Sequence, residues 1–160
     1  MKKMSILAIA ATALLVSCDP KEKNPNNNVT PKPKTKTDLI TAGKWQVTAG
    51  TITYTFLGQT TTDDYFKDLE ACEKDNFILF YADGKATFDE GASKCDSTDD
   101  QSSPATWAFY DNETKVILTE DGTSDTADIE ELTESALKVS YSETDSMYSY
   151  KTVMTFGRIN

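Results

Sequence analysis

Short runs in which apolar and polar residues alternate make up the chain from Asp38 to its end, and turn-forming residues separate these runs. Threonine, tyrosine and phenylalanine, which favour β-strands, are frequent in them. Alternation gives each strand one apolar and one polar face, so the apolar faces together can enclose a single core. We expect an all-β domain over residues 38–160, with strands at 44–57, 76–82, 85–90, 104–110, 115–120, 126–132, 136–143 and 147–158.

Three residue pairs mark turns between these strands. Asp83-Gly84 predicts a two-residue hairpin, because glycine tolerates the positive φ that a type I′ turn requires. Asp111-Asn112 and Asp121-Gly122 indicate two further turns. Within the first strand, the apolar residues change from odd to even positions at Ala49-Gly50. A β-bulge at this point would keep them on one face.

One segment, residues 63–73, departs from the alternation. Tyr65, Leu69 and Cys72 are spaced at i, i+4 and i+7, which is the spacing of one face of a helix. We expect one short helix here, between the first two strands, covering one end of the domain. Two roles remain open for it: packing against the core, or gating the access of a ligand.

The N-terminus carries a targeting signal. Two lysines precede an apolar run from Ile6 to Val16, which is too short to span a bilayer, and residues 1–17 therefore predict a secretory signal peptide. The string Leu15-Val16-Ser17-Cys18 resembles the lipobox of bacterial lipoproteins. This resemblance implies that Cys18 becomes the first residue and carries lipid chains such as palmitate, which anchor the protein in a membrane. An ordinary secretory signal with an incidental cysteine is the alternative.

Residues 18–37 join this anchor to the domain. The segment is rich in proline, asparagine and lysine and has almost no apolar residues, so it predicts a disordered tether. Acidic residues follow Cys18, and they resemble an inner-membrane retention signal in some Gram-negative lineages and a surface-export signal in others. We expect a cell-envelope lipoprotein attached to the outer membrane, facing the periplasm or exposed on the surface.

Composition excludes several kinds of chemistry. The chain has 26 acidic and 16 basic side chains, a formal charge of −10, and no histidine. Without histidine it cannot use Ser-His-Asp or Cys-His catalysis or histidine-ligated metals. Its negative charge opposes binding to the phosphates of nucleic acid. Acidic pairs such as Asp63-Asp64 and Glu130-Glu131 lie in polar runs and indicate a solvated surface rather than an acid and base pair. We expect no enzyme, no cofactor and no metal site.

With Cys18 assigned to lipid, the remaining cysteines are Cys72 and Cys95. Two thiols in an oxidising envelope most simply form one disulfide bond. Such a bond joins the predicted helix to the segment after the 85–90 strand, and closing a loop of this length contributes about 3 kcal/mol in the chain-entropy description. A redox-active pair is the alternative, although the spacing is not C-x-x-C.

Two motifs carry a resemblance to a known family. Gly43-Lys44-Trp45 is similar to the G-x-W motif of lipocalins, and Arg158 lies near the end of the last strand, where calycins carry an arginine. The order of the motifs also resembles lipocalin-like domains of Gram-negative lipoproteins. The resemblance implies an eight-stranded antiparallel up-and-down β-barrel with one short helix. It also implies that Arg158 covers Trp45 at the closed end through a cation–π contact.

Two functions follow from this fold. The first is binding of a small hydrophobic ligand, lined by the aromatic residues that alternation places inside, namely Trp107, Phe109, Tyr141 and Tyr150. The same residues would also fill a solid core. In that case the second function is a surface interaction or scaffold module, whose loops, such as 96–103, bind a protein or glycan partner. An open apolar cavity would favour the first function.

Overall fold

A computed structural model describes residues 32–160. The predicted signal peptide, Cys18 and most of the predicted tether lie outside the described residues. The described chain forms three short helices and nine strands: α1 (Lys36–Ile40), β1 (Lys44–Phe56), β2 (Gln59–Asp63), α2 (Tyr65–Asp68), α3 (Ala71–Lys74), β3 (Phe77–Phe80), β4 (Lys85–Asp89), β5 (Ser102–Tyr110), β6 (Lys115–Glu120), β7 (Thr123–Leu132), β8 (Ala136–Thr144) and β9 (Tyr148–Ile159). Over residues 32–160, none of the helices has the length and apolar character needed to cross a membrane.

The strands form one antiparallel sheet that closes into a ring. Neighbouring strands pair in chain order from β3 to β9, and β1 pairs with both β3 and β9. The predicted all-β antiparallel fold is therefore confirmed, and each of the eight predicted strands is present. The structure adds a ninth strand, β2, which pairs only with β1 and lies beside the ring.

One edge of β1 is shared between two partners. Its first residues, Lys44 to Gln46, pair with β3, and its last residues, Ile52 to Phe56, pair with β2. The other edge pairs with β9 along nearly the whole strand, with a register shift between Val47 and Ala49. This shift is the predicted bulge, and it keeps the inner face of β1 apolar on both sides of it.

Two tight turns have positive φ at both central residues, as a type I′ turn requires. Asp121-Gly122 joins β6 to β7 with φ of 47° and 79°, as expected for one of the predicted turns. Leu57-Gly58 joins β1 to β2 with φ of 48° and 78°, and this turn was not predicted because leucine seldom adopts positive φ. At Asp83-Gly84 the prediction of a two-residue type I′ turn is wrong: only Gly84 has positive φ, and the loop spans residues 81–84.

The predicted helix over 63–73 is present as two single-turn helices instead of one. Leu69 and Glu70 adopt extended backbone angles between α2 and α3. Each turn has its own cap: the Asp64 carboxylate accepts from the Lys67 N–H, and Glu70 and Glu73 form a capping box. Because residues with capping side chains occur twice within the segment, the chain restarts the helix rather than continuing it.

The helix α1 was not predicted. Thr35 Oγ1 accepts from the Asp38 N–H at 3.0 Å, and the Asp38 carboxylate accepts from the Thr35 N–H at 2.8 Å. This reciprocal pair is a capping box, so a local signal for the helix was present in the sequence. The helix spans residue 38, where the sequence analysis placed the start of the domain.

The core lies inside the ring and is built from the inner faces of all eight of its strands. Its buried residues are Ile40, Trp45, Phe80, Ala86, Ala105, Trp107, Val116, Leu137, Val139 and Phe156. Ile40 and Trp45 have no exposed surface at all. The core is therefore anchored where α1 meets the start of β1.

Candidate functional site

One end of the ring, which we call the closed end, is covered by α1. The indole Nε1–H of Trp45 donates to the Ile40 carbonyl at 2.7 Å, and both residues are fully buried. Lys34 pairs with Glu134 at 2.7 Å, and the Lys36 ammonium donates to the Glu113 carbonyl. These contacts join α1 and the residues just before it to two of the loops at this end.

The three residues of the predicted barrel-end motif meet at the closed end. Arg158 is the direct partner of Trp45 in the β1–β9 pairing. A Cβ built on Gly43 would lie 3.0 Å from Cγ and Cδ of Arg158, so the aliphatic stem of the arginine crosses directly over the glycine. The expected cation–π contact is not among those found within residues 32–160, which involve Lys44 with Phe77 and Lys74 with Phe66. The indole of Trp45 is fully buried, and its N–H donates to the Ile40 carbonyl.

The opposite end, which we call the open end, contains a cavity of about 470 Å³. Its apolar residues come from the inner faces of the strands and from the α2–α3 segment, and they include Trp45, Val47, Leu69, Phe77, Ile78, Phe88, Met154 and Phe156. Trp45 lies at the bottom, between the cavity and α1. Cavities that bind small molecules commonly have 300–1,000 Å³, so this one is large enough for a small ligand.

Tyr65 of α2 forms one wall of this cavity. It lies against β1 at Gly50, where a Cβ would be only 2.1 Å from Tyr65 Cε1. Gly50 falls in the stretch of β1 between its pairings with β3 and β2, and the tyrosine ring packs on the face of the strand there. Burial, together with the nearby Tyr141 and Glu73, raises the pKa of Tyr65. Burial and the nearby groups thus disfavour the ionised phenolate at the cavity wall.

The mouth of the cavity is held by a covalent link. Cys72 of α3 and Cys95 form a disulfide bond with Cα atoms 5.3 Å apart, and this is the pairing expected from the sequence. Nearby, the Asp75 carboxylate accepts from the N–H of Ser93 at 3.0 Å and from its hydroxyl at 2.7 Å. These contacts tie the end of α3 to the segment between β4 and β5. Both sides of the mouth are thus fixed relative to each other.

Five carboxylates line the cavity together with the apolar residues: Glu73, Asp89, Glu90, Asp99 and Asp100. They belong to α3, the end of β4 and the segment that follows β4. Asp99 and Asp100 are exposed, whereas Trp45 and Phe156 are buried. The cavity therefore has an apolar interior and an acidic mouth.

The four residues predicted to line a ligand site lie elsewhere in the ring. The rings of Phe80, Trp107 and Phe109 stack edge to face, with centroids 5.4 and 5.2 Å apart, and Trp107 Nε1–H donates to the Tyr81 carbonyl. Tyr141 and Tyr150 form a second edge-to-face pair with centroids 6.1 Å apart. None of these four lines the 470 Å³ cavity. Trp107 and Phe109 pack in the core towards the closed end.

The residues that do line the cavity were only partly visible in the sequence. Alternation correctly assigns Met154 and Phe156 to the inner face of β9. Alternation does not reveal where, along the axis of the ring, the filled core ends and the cavity begins. That boundary depends on how far each strand extends past its neighbour. The contributions of Tyr65 and Leu69 depend on the break between α2 and α3.

Glu70, Cys72 and Cys95 bring one carboxylate and two sulfur atoms close together. Metal ligation by cysteine requires the thiolate, and these two sulfurs are joined to each other. The cluster therefore stabilises the mouth of the cavity and is not a metal centre in this oxidised form.

A comparison with protein families gives one match. The model of a family described as a lipocalin-like domain matches residues 42–139. This range begins just before Gly43 and Trp45, includes both cysteines of the disulfide bond, and ends within β8. No curated protein matches the chain.

Proposed function

The chain belongs to the lipocalin-like domain family, and from this premise we propose that it is a non-enzymatic protein that binds a small hydrophobic ligand inside its ring of strands. The observation that supports this is the cavity of about 470 Å³ at the open end. Its interior is formed by aromatic and aliphatic side chains, of which Trp45 and Phe156 are buried and the others half-buried. Such a lining favours an apolar molecule that leaves water. A ring filled throughout would have no place for such a molecule.

A neutral apolar fluorescent probe tests this proposal. N-phenyl-1-naphthylamine should bind the full-length chain and become brighter as it enters the cavity. Leu69→Gln, at the cavity wall, should weaken the affinity by about threefold or more, because apolar contact area is lost. Leu57→Gln is the matched control, since Leu57 is 70% exposed in the β1–β2 turn and should leave the affinity unchanged. Absence of probe binding by the folded chain would refute the proposal.

We also propose that the protein is a lipoprotein of the cell envelope, anchored in the outer membrane through Cys18. The support is the sequence of residues 1–18, with its charged start, apolar run and lipobox-like end. Metabolic labelling with palmitate should mark the wild-type chain, and Cys18→Ala should abolish the label. Separation of inner and outer membranes then assigns the location. Labelling that persists in Cys18→Ala, or none in the wild type, would refute lipidation at this residue.

A specific observation also favours the second function, an interaction surface for a protein or glycan partner. Of the eight large hydrophobic residues that are exposed within residues 32–160, six lie near the open end, on β1, β8, β9 and the turns next to them: Tyr54, Phe56, Leu57, Tyr141, Met147 and Tyr148. We call this group the aromatic rim. Tyr54 and Phe56 pair directly with Tyr150 and Tyr148 across β1 and β9, so the rim is continuous. Clustered exposed aromatic residues often mark interaction sites.

The double variant Tyr54→Ser/Tyr148→Ser separates the two functions. If the aromatic rim is the functional surface, this variant should lose binding to arrayed glycans or envelope proteins that the wild-type chain binds. The affinity for the fluorescent probe should stay unchanged, because neither tyrosine lines the cavity. Equal binding by variant and wild type would refute this second function.

A further inference from the structure

Resting on the proposed function, we propose that the cavity selects an amphipathic cation, a small molecule with an apolar body and a positively charged ammonium head. The apolar body would occupy the interior above Trp45. The ammonium group would lie at the acidic mouth, formed by α3 and the segment after β4.

The lining of the cavity carries charge of only one sign. Among residues 32–160, it includes five carboxylates and no lysine or arginine. Glu73 is used in part by the capping box of α3, where it accepts from the Glu70 N–H at 2.7 Å. Asp89 accepts from the Gly91 N–H at 2.9 Å and from the Gln101 side chain at 3.0 Å. These two carboxylates therefore already have hydrogen-bond donors.

The other three carboxylates have no such partner. Within residues 32–160, the side chains of Glu90, Asp99 and Asp100 form no hydrogen bond and no ion pair. They are therefore available to a ligand. Carboxylates grouped at the mouth of a low-dielectric cleft concentrate their field there, which attracts cations and repels anions.

Two lysines lie near this mouth and offset part of its negative charge, but within residues 32–160 neither forms an ion pair with a carboxylate of the lining. The Lys94 ammonium donates to the backbone carbonyl of Asp99 rather than to its carboxylate. The Lys74 ammonium donates to the carbonyls of Lys67 and Leu69 and lies 5.2 Å from the centroid of the Phe66 ring. Both positive charges are thus directed at backbone oxygens or an aromatic ring.

A second cavity, of about 310 Å³, extends the same acidic environment. It shares Phe88 with the first cavity, and in the part of the chain that the structure describes its lining includes Glu120, Asp121 and Asp125 but no basic residue. The described linings of both cavities therefore carry negative charge beside apolar side chains. A fatty acid or another anionic amphipath would have to place its carboxylate among like charges, which opposes its binding.

Three eight-carbon ligands that differ only in the head group test the inference: octylammonium, octan-1-ol and octanoate, each displacing N-phenyl-1-naphthylamine from the purified, oxidised full-length chain at pH 7. We expect octylammonium to displace the probe at a concentration at least tenfold lower than octanoate, with octanol between them. Raising NaCl to 0.5 M should reduce the difference, because salt screens charges at an exposed mouth.

The variant Glu90→Gln/Asp99→Asn/Asp100→Asn removes the three unpartnered charges. It should abolish most of the preference for octylammonium and leave octanol binding unchanged. The control Asp111→Asn/Glu113→Gln/Glu131→Gln removes the same charge from residues that do not line the cavity and should keep the preference. Residues 1–31 are identical in all variants, so binding to them cancels in the comparison.

The outcomes separate this inference from the proposed function. Octanol binding with equal affinities for octylammonium and octanoate would overturn the inference and leave the proposed function standing. Preference for octanoate would also overturn it, as would an unchanged preference in the variant that lacks the three charges. If none of the four compounds bound, both the inference and the proposed function would be refuted.

Discussion

The ring of Tyr65 lies so close to the backbone of Gly50 that a Cβ added to the glycine would be 2.1 Å from Tyr65 Cε1 and 2.6 Å from Cδ1. No side chain other than hydrogen fits at residue 50 while the tyrosine keeps its place. Through this contact, α2 packs on the face of β1 in the stretch between its pairings with β3 and β2. The position of Tyr65 in the cavity wall therefore depends on glycine at residue 50.

Gly50→Ala should lower the free energy of unfolding by about 1–3 kcal/mol, because the methyl group forces Tyr65 out of its position. In a Tyr65→Ala background the same change should cost nothing or stabilise the protein slightly, since alanine is favoured over glycine in a strand. A double-mutant cycle by urea denaturation measures this coupling. Equal costs of Gly50→Ala in both backgrounds would contradict the contact.

Removing the disulfide bond should destabilise the domain. The Cys72→Ser/Cys95→Ser variant, which opens a loop of sequence separation 23, should lose about 3 kcal/mol of unfolding free energy. Reducing agent should lower the stability of the wild-type protein by a similar amount and leave the variant unaffected. Thermal unfolding with and without reductant provides the measurement, and a wild-type midpoint insensitive to reductant would argue against the bond.

Trp45→Phe should loosen α1. The change removes the indole donor and leaves the buried Ile40 carbonyl without its hydrogen bond, at a cost of about 1–3 kcal/mol. Amide hydrogen exchange of Leu39, Ile40 and Thr41 should become faster. Trp107→Phe is the matched control, because its indole donates to the Tyr81 carbonyl, so it should accelerate exchange near the 81–84 loop and leave α1 protected.

Glu130 should contribute a pH-dependent part of the stability. The Lys151 ammonium, with Lys138 and Ser140, lowers the pKa of Glu130 from 4.5 to about 2. The folded state therefore favours the ionised carboxylate, so its stabilisation is complete above pH 5 and is lost as the pH falls towards 2. Because the side chain is partly solvated, we expect a contribution of about 1 kcal/mol.

The variant Glu130→Gln should remove this part of the pH dependence between pH 5 and 2. Glu131→Gln is the control, since Glu131 is the exposed neighbour with no ion pair among the described residues. Urea midpoints measured across this pH range give the comparison. Parallel pH profiles of wild type and Glu130→Gln would show that the ion pairs of Glu130 contribute nothing.

Much of the fold could be predicted because its signals are local. The alternation of apolar and polar residues in β5 and β9 places Trp107, Met154 and Phe156 on inner faces, and it does so independently of the rest of the chain. The bulge in β1 follows from the change of parity around Ala49, and the turn at Asp121-Gly122 follows from the positive φ that these residues accept. The pairing of Cys72 with Cys95 could be predicted because these are the two cysteines that remain once Cys18 is assigned to lipid.

The strand β2 and the cavity could not be predicted in this way. Residues 59–63, Gln-Thr-Thr-Thr-Asp, have no apolar face, and they pair with β1 because the unusual Leu57-Gly58 turn brings them back along it. All five are exposed, so no burial pattern marks them as a strand. Their pairing requires the part of the β1 edge from Ile52 to Phe56, which extends beyond the residues of β1 that pair with β3.

The sequence by itself determined which residues form the eight strands of the ring, which face of each is apolar and which cysteines are free to pair, because these depend on the alternation of neighbours and on residue type. Only the tertiary structure decided that Tyr65, Phe88 and Met154 surround a cavity while Trp107 and Phe109 fill the core. It also decided that the acidic residues of α3 and of the segment after β4 meet at one mouth. The physical reason is that the level of a side chain in a closed ring is set by strand register and by the segments that cover the ends, and both arise from contacts between residues far apart in the chain.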